Sequence, residues 1–577
     1  MDVIHWRIRI VSIFFVAFIA VIIYRLFYWQ IIDGRRLSMI AQSQYFSQTE
    51  ISSSRGEILS SDNFPLVTNK RVYLLYALLN KIKRTPADIA QKLAPFLITK
   101  GTEDDKENKK ELEAIENSLK NKLEQQDLVW AALARKVSPE NKGKIEALEI
   151  EGLGYEGEET RFYPEASMAA QLLGFVGKNQ EGRDVGYFGL EGFYDLELRG
   201  RHGIINQEKD AGNKPILFGS FLSREKKDGQ TLVLHLDRSV QFIVEEKLQK
   251  AISKYGAKSG SVVVLDPKTG GVLALASFPS YDPAQYFEED KDLFKNPLIA
   301  ETYEPGSTAK VFVVAAALDN KSINEDDLCP ICTGPVKIDK YTIKTWNDEY
   351  HPNSTITEIV ENSDNIGMIF IARELGIDAF WEYFKKFGFG EKTNIDLQEE
   401  VSGVFKTKDE WGEIDLATAS FGQGFAVTGI QMARGVAAIA NDGFLVEPHV
   451  VAKILDGKRE INIKPKEIRR VIKSESAKTI TDIMVNAVDK GEAKWLKIKG
   501  YKIAGKTGTA QIPVAGHYDE EKTIASFVGF APADKPRFVI LVKLEEPSSS
   551  PWAAETAAPL FFEITKDLLL YYGIQPD

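Results

Sequence analysis

The chain has 577 residues, 44% of them hydrophobic and 27% charged, enough for about two to four domains with real apolar cores; disordered and fibrous classes are excluded, and a mean hydropathy of −0.20 excludes a polytopic membrane protein. With 72 Lys and Arg against 83 Asp and Glu, the net charge is −11 and no basic run occurs, which disfavours a nucleic-acid footprint. The six histidines (His5, His202, His235, His351, His449 and His517) form no close ligand pair, so histidine-ligated metal chemistry is not expected, nor any cofactor.

The first element in chain order is an apolar run, Ile10 to Trp29, broken only by Arg25. Twenty residues match the thickness of a bilayer core, Arg25 can snorkel near one end, and Tyr24, Tyr28 and Trp29 suit an interfacial belt. A cleaved signal peptide needs small residues after the run, whereas YRLFYWQ follows, so an uncleaved anchor is expected. Arginines on both flanks leave its orientation open.

Residues 101–127 are rich in Lys and Glu and read as a solvated helix face or insertion. A polar stretch, Ser220–Gly229, marks a domain boundary ahead of an alternating strand, Thr231–Asp237. Beyond it the spacing predicts a helix over Val240–Tyr255 and a hairpin over Ser261–Ser277. Strands are predicted over Tyr501–Ile512, Ile524–Pro532 and Arg537–Glu545, and a last helix over Ala557–Tyr572. Strands at both ends with helices between predict one sheet assembled from distant parts of the chain. No internal repeat is present.

Three short motifs carry candidate chemistry: Ser307-Thr-Ala-Lys310, Ser363-Asp364-Asn365 and Lys506-Thr507-Gly508-Thr509. Each has a decoy copy, in Ser223–Lys226, Ser61–Asn63 and Lys268–Gly270, so none is specific alone. Context separates them. Ser307 opens a strongly apolar helix, and Lys310, one turn on, lies on its face and can reach its hydroxyl. A serine needs a base to become a nucleophile, and a lysine serves only when neutral, which burial and a second cation such as Lys506 favour. The decoys lie in a hydrophilic linker, a probable turn and a hairpin tip, in the wrong order.

With these motifs in place the sequence resembles the class B penicillin-binding proteins, monofunctional D,D-transpeptidases of bacterial cell-wall synthesis. The resemblance runs through RGEILSSDNFPLVTN (55–69), RFYPEASMAAQLLGFVG (161–177), GLEGFYDLELRGRHG (189–203), GSVVVLDPKTGGVLALASFPSYDP (260–283), FGFGEKTNIDL (387–397) and SFGQGFAVTGIQMARGVAAIANDG (420–443). It implies an α/β transpeptidase domain, mainly antiparallel sheet with helices on both faces, over residues 229–577. An α+β pedestal over 30–228, an anchor over 10–29 and a cytoplasmic tail over 1–9 complete the expected plan. The N-terminus would be inside and the catalytic domain outside.

By the same resemblance, Ser307 attacks the penultimate D-Ala carbonyl of a stem peptide and Lys310 takes its proton. Ser363 passes protons to the leaving D-Ala, and Asn365 holds the substrate amide and Lys310. Lys506, Thr507 and Thr509, with Gly508 between them, bind the terminal carboxylate. Backbone N–H groups of Ser307 and Thr509 form the oxyanion hole. β-Lactams are expected inhibitors, an acceptor amine on a neighbouring strand completes the crosslink, and a polytopic glycan polymerase is the expected partner. RFYP and SFGQGFAVT lean toward division over lateral wall growth.

Asp364 departs from the family, many of whose members carry a second Ser there. Alternatives are a β-lactamase, toward which Glu391-x-x-Asn394 tempts, and an inactive penicillin-binding scaffold. Cys329 and Cys332, the only cysteines, are open to a local disulfide, free thiols or zinc.

Overall fold

The computed structural model describes residues 2–98, 105–125, 128–208, 222–514 and 517–576. The chain divides into two compact units, residues 1–55 with 199–229, and 56–198 with 230–577. In the first, helix Asp2–Phe27 runs into a π-helical turn, Tyr28–Ile32. Ile4–Ile32 is long and apolar enough to cross a membrane, and none of its most apolar stretch is buried in protein. Strands Phe46–Ile51, Gly203–Glu208 and Leu222–Arg224 form a small antiparallel sheet in the same unit. Ser223 of the first decoy lies in its last strand, and Ser220 falls outside the described residues.

In the second unit, strands β1 (Ile58–Leu59), β2 (Pro65–Leu78), β3 (Trp130–Val137) and β4 (Leu153–Phe162) share one sheet. Helix α1 (Asp105–Leu123) falls in the Lys/Glu-rich stretch. Its Leu119 and Leu123, four residues apart, are buried with Ile89, Ala90 and Leu93, and Leu112 and Ile115 pack beside them, which leaves most of the Lys and Glu to the remaining positions. Residues 101–104 and 126–127 of that stretch lie outside the described residues.

Strand β5 (Thr231–Leu234) joins the same sheet, parallel to β1. It is shorter than expected, because Asp237 caps the next helix, its Oδ1 accepting from the backbone N–H groups of Ser239 and Val240 at 3.0 and 3.2 Å. That helix is α2 (Arg238–Tyr255), closed by Gly256 at φ +59°.

The hairpin follows as β6 (Ser259–Leu265) and β7 (Val272–Phe278), paired antiparallel. The Lys268 decoy is its exposed turn, with the backbone N–H of Lys268 bonded to Asp266 Oδ1 at 2.8 Å. Helices α3 (Lys310–Asp319), α4 (Asn365–Leu375) and α5 (Gly429–Ala440) come next. Strand β8 (Val451–Asp456) pairs with β5, and β9 (Arg459–Asn462) with β8, so segments from both sides of residue 229 build one sheet.

Helix α6 (Ser474–Lys490) precedes β10 (Ala504–Val514), β11 (His517–Ala531) and β12 (Phe538–Glu545), and α7 (Ala557–Tyr571) ends the unit. β10 starts three residues after the expected Tyr501, whose backbone N–H is held in a turn by the Ile498 carbonyl.

The central sheet runs β7-β6-β12-β11-β10, antiparallel throughout. The distant ends of the transpeptidase-like region do meet: Ser259 pairs with Glu545 and Leu265 with Val539. Alternation along β6 explains why its run is apolar without interruption. Val262 and Val264 pack under α2 and α7 with Val240, Val244 and Phe561. Val263 and Leu265 face the opposite core, with Val311, Phe312 and Ile430 of α3 and α5. A sheet covered on both faces needs apolar residues at every position.

Candidate active site

Three chain segments meet around a cleft of about 700 Å³ lined by Ser307, Ser363, Asn365, Thr507 and Thr509, among others. Ser307 sits in a 3-10 turn, Gly306–Ala309, immediately before α3. Gly306 takes φ +55°, and a Cβ there would meet the Thr509 carbonyl oxygen at 2.9 Å. The bare backbone is what lets the nucleophile turn lie against β10. Gly508 does the same from the other side: its Cβ would meet Thr308 Cγ2 at 2.7 Å and the Pro305 oxygen at 2.9 Å. Gly508 packs the two segments together, while Thr507 and Thr509 on either side line the cleft.

Lys310 is fully buried beneath the cleft. Its Nζ donates to the Ser363 carbonyl at 2.6 Å and to Asn365 Oδ1 at 2.8 Å, with Ser363 Oγ at 3.2 Å. The Ser363 and Ser307 hydroxyls are hydrogen-bonded at 3.0 Å. The expected reach of Lys310 to Ser307 along one helix face is thus relayed by Ser363, a residue helical spacing cannot supply. Ser363 holds φ +54°, unfavourable for a non-glycine residue, and so directs both its carbonyl and its hydroxyl at Lys310.

Burial first, and then the charge of Lys506, pull the Lys310 ammonium down to about 7. Lys506 is itself buried and lowered by the same loss of water. Its Nζ donates to Thr507 Oγ1 at 2.9 Å, and that hydroxyl donates to Glu492 Oε2 at 2.7 Å. Thr509 Oγ1 accepts from the backbone N–H of Ala553 at 3.1 Å. β10 is the edge strand of the central sheet, and an edge offers unpaired backbone groups to an extended peptide.

Asp364, the departure in the second motif, is buried and caps α4. Its Oδ1 accepts from the backbone N–H groups of Ile366 at 2.7 Å and Gly367 at 3.2 Å. It is a smaller influence on Lys310, raising its proton affinity.

Several cleft residues carry no sequence signal. Glu492 follows α6 in a loop without pattern. Trp346 and Trp552, from loops more than two hundred residues apart in the chain, meet with their rings tilted at 58° and 5.1 Å between centroids, and also line the cleft. Cys329 and Cys332 form a buried disulfide between the first two motifs, which settles the open reading of that pair. Glu391 does not line the cleft; it is ion-paired to Lys385 at 3.0 Å and Arg469 at 3.4 Å. Asn63 and Lys268 of the decoys are exposed turn residues that do not line it either.

Comparison with known proteins matches residues 260–566 to the penicillin-binding protein transpeptidase domain and residues 50–234 to the penicillin-binding protein dimerisation domain. Stage V sporulation protein D of Bacillus subtilis is 31% identical over 99% of this chain and 86% of its own length. Peptidoglycan D,D-transpeptidase FtsI of Escherichia coli is 32% identical over 77% of this chain and 73% of its own. In fold, penicillin-binding protein 2X of Streptococcus thermophilus superposes with a TM-score of 0.74 over 92% of this chain and 80% of that one, at 22% identity. A transpeptidase domain that ends on a Ser-Lys cleft and follows a dimerisation domain places this chain in the class B penicillin-binding protein family.

Proposed function

We propose that this protein is a peptidoglycan D,D-transpeptidase acting through an acyl-enzyme on Ser307. The observation that carries the reading is the chain Ser307–Ser363–Lys310, with links of 3.0 and 3.2 Å and a base near neutrality. Ser307 Oγ attacks the penultimate D-Ala carbonyl, and its proton passes through Ser363 to neutral Lys310. Backbone N–H groups of Ser307 and Thr509 stabilise the oxyanion. The C–N bond breaks, the departing D-Ala nitrogen takes the proton back, and an ester remains on Ser307. An acceptor amine then attacks that ester, Lys310 receives its proton, and Ser307 leaves reprotonated. A β-lactam stops at the first ester because its leaving nitrogen stays tethered. Asn365 orients the substrate amide, and the Lys506–Thr507–Thr509 edge receives the terminal carboxylate.

In this reading residues 30–228 form the pedestal and 229–577 the transpeptidase domain. The apolar N-terminal helix anchors them, with the N-terminus inside and the cleft on the outer face, where the substrate lies. A polytopic glycan polymerase partners the anchor and pedestal, and the role is in division rather than lateral growth; a tagged copy that fails to gather at the septum contradicts that role. Ser307→Ala is expected to abolish covalent labelling by a fluorescent penicillin. Labelling of the variant at the wild-type rate refutes the nucleophile, and rapid release of hydrolysed drug from the wild type favours a β-lactamase.

A further inference from the structure

Glu492 is the one acidic side chain tied directly to the Lys506–Thr507 pair in the described cleft. It is half-buried in the loop after α6, it lines the cleft, and its Oε2 accepts the Thr507 hydroxyl at 2.7 Å. That hydroxyl in turn accepts from Lys506 at 2.9 Å. A cation and a hydroxyl on the exposed edge of a sheet are what a peptide's terminal carboxylate needs. In this structure a carboxylate already occupies the hydroxyl, and it belongs to the protein.

We propose that Glu492 is an internal stand-in for the donor's terminal carboxylate, holding Thr507 until the donor or a β-lactam displaces it. The inference rests on the Ser307 acyl-enzyme reading and deepens it. Two physical considerations support it. Lys310 and Lys506 are both buried, and two like charges out of water are costly without a counter-charge; Glu492 raises the proton affinity of both. A ligand carboxylate can take over that duty, but it cannot share one hydroxyl proton with Glu492, and the two anions repel. Entry of the ligand therefore exchanges one carboxylate for another rather than filling an idle site. Glu492 keeps the lysines balanced when the cleft is empty, and the need to displace it lowers affinity for every anionic ligand.

The charged groups around this point come from every neighbouring element. Lys310 stands at the start of α3, Asp364 caps α4, and Lys506 lies on β10. The Glu361–Lys490 pair spans 3.3 Å at the end of α6, Lys494 opens a 3-10 turn, and Glu349, His351 and Glu555 from loops also line the cleft. Among these, Glu492 is the group whose removal both frees Thr507 and lowers the proton affinity of Lys310. Neutral Lys310 is the base, so removal of Glu492 moves the rise of acylation with pH toward acid.

The test is second-order acylation by a fluorescent penicillin, with the full-length protein in detergent, from about pH 5.5 to 9. Glu492→Gln is expected to raise the acylation constant about three- to tenfold below pH 7 and to shift the midpoint of the profile to lower pH. Glu492→Asp keeps the charge but shortens the reach; it is expected to raise the constant less and leave the midpoint near that of the wild type, and it serves alone if the Gln variant does not fold. A Gln variant acylated more slowly with an unmoved midpoint makes Glu492 a prop for Thr507 and overturns the proposal. Acylation unchanged across the whole pH range also overturns it. Ser307→Ala is run alongside. If it still labels, the nucleophile reading has failed; if it is silent while the Gln profile is unchanged, only the stand-in has failed.

Discussion

Two of the places where the second compact unit buries charge are treated in opposite ways. Arg161 on β4 and Glu191 in the short helix Gly189–Phe193 form an ion pair at 2.7 Å, with side chains 5% and 0% exposed. Arg161 also donates to Asn69 Oδ1 at 2.7 Å and to the Gly56 carbonyl at 2.6 Å. Every charge there has an opposite and a hydrogen-bond partner. In the cleft, Lys310 and Lys506 are buried with like sign, and their nearest anion acts through a threonine hydroxyl. A saturated pair holds structure, whereas an unbalanced pair depresses a lysine until it becomes a base.

If that contrast is right, removing the cation should have opposite effects at the two places. Arg161→Ala removes the guanidinium that balances the buried Glu191 carboxylate, and is expected to cost about 3–5 kcal/mol of stability, read as a fall in Tm of the full chain. Lys310→Met should abolish acylation and yet raise stability. The folded protein holds Lys310 near 7 and the unfolded chain near 10.5, so folding is penalised increasingly as pH falls from 10.5 through 7. Removing the lysine lifts that penalty but strands the Ser363 carbonyl and Asn365 Oδ1, for a net gain of about 1–3 kcal/mol at pH 7. A Tm that falls for both variants would erase the distinction.

The sequence shows these two centres unequally. Arg161 and Glu191 stand in the stretches RFYP and GLEGF, visible only as landmarks of a resemblance; the register of β4 on β2 sets Arg161 opposite Asn69, and only the fold brings the helix Gly189–Phe193 with Glu191 to it. The motifs of the cleft were legible because each needs particular residues at short spacing, and the sheet because β6 and β12 carry the unbroken apolar runs VVVL and FVILV. The Ser363 relay was not, since helix periodicity relates Ser307 only to its own turn. Glu492, Trp346 and Trp552 were not legible either. They lie on loops, where no period constrains the residue and only the fold brings them to the cleft.

Within the cleft the contrast sharpens on Lys506. It is the second cause, after burial, of the lowered Lys310 ammonium. Lys506→Met should therefore raise the proton affinity of Lys310 and move the midpoint of acylation to higher pH, slowing acylation at pH 7 about tenfold or more. Losing a carboxylate ligand weakens penicillin binding as well, so the profile must be followed at saturating drug. If the midpoint stays in place there, Lys506 is a binding residue with no part in activating the base.

Asp364 supplies the smallest and most selective change. It acts on Lys310 in the opposite sense to Lys506, raising its proton affinity, and is the last of the named influences. Its Oδ1 does separate work as the cap of α4, and asparagine caps a helix about as well as aspartate. Asp364→Asn therefore removes the charge while keeping the cap. The midpoint of acylation should move slightly to lower pH, with acylation below it about twofold faster, while Tm changes little. A slower enzyme with an unchanged midpoint would show that the carboxylate places Ser363 and Asn365 rather than tuning Lys310, and that one negative charge beside two buried lysines is screened by the helix end it caps.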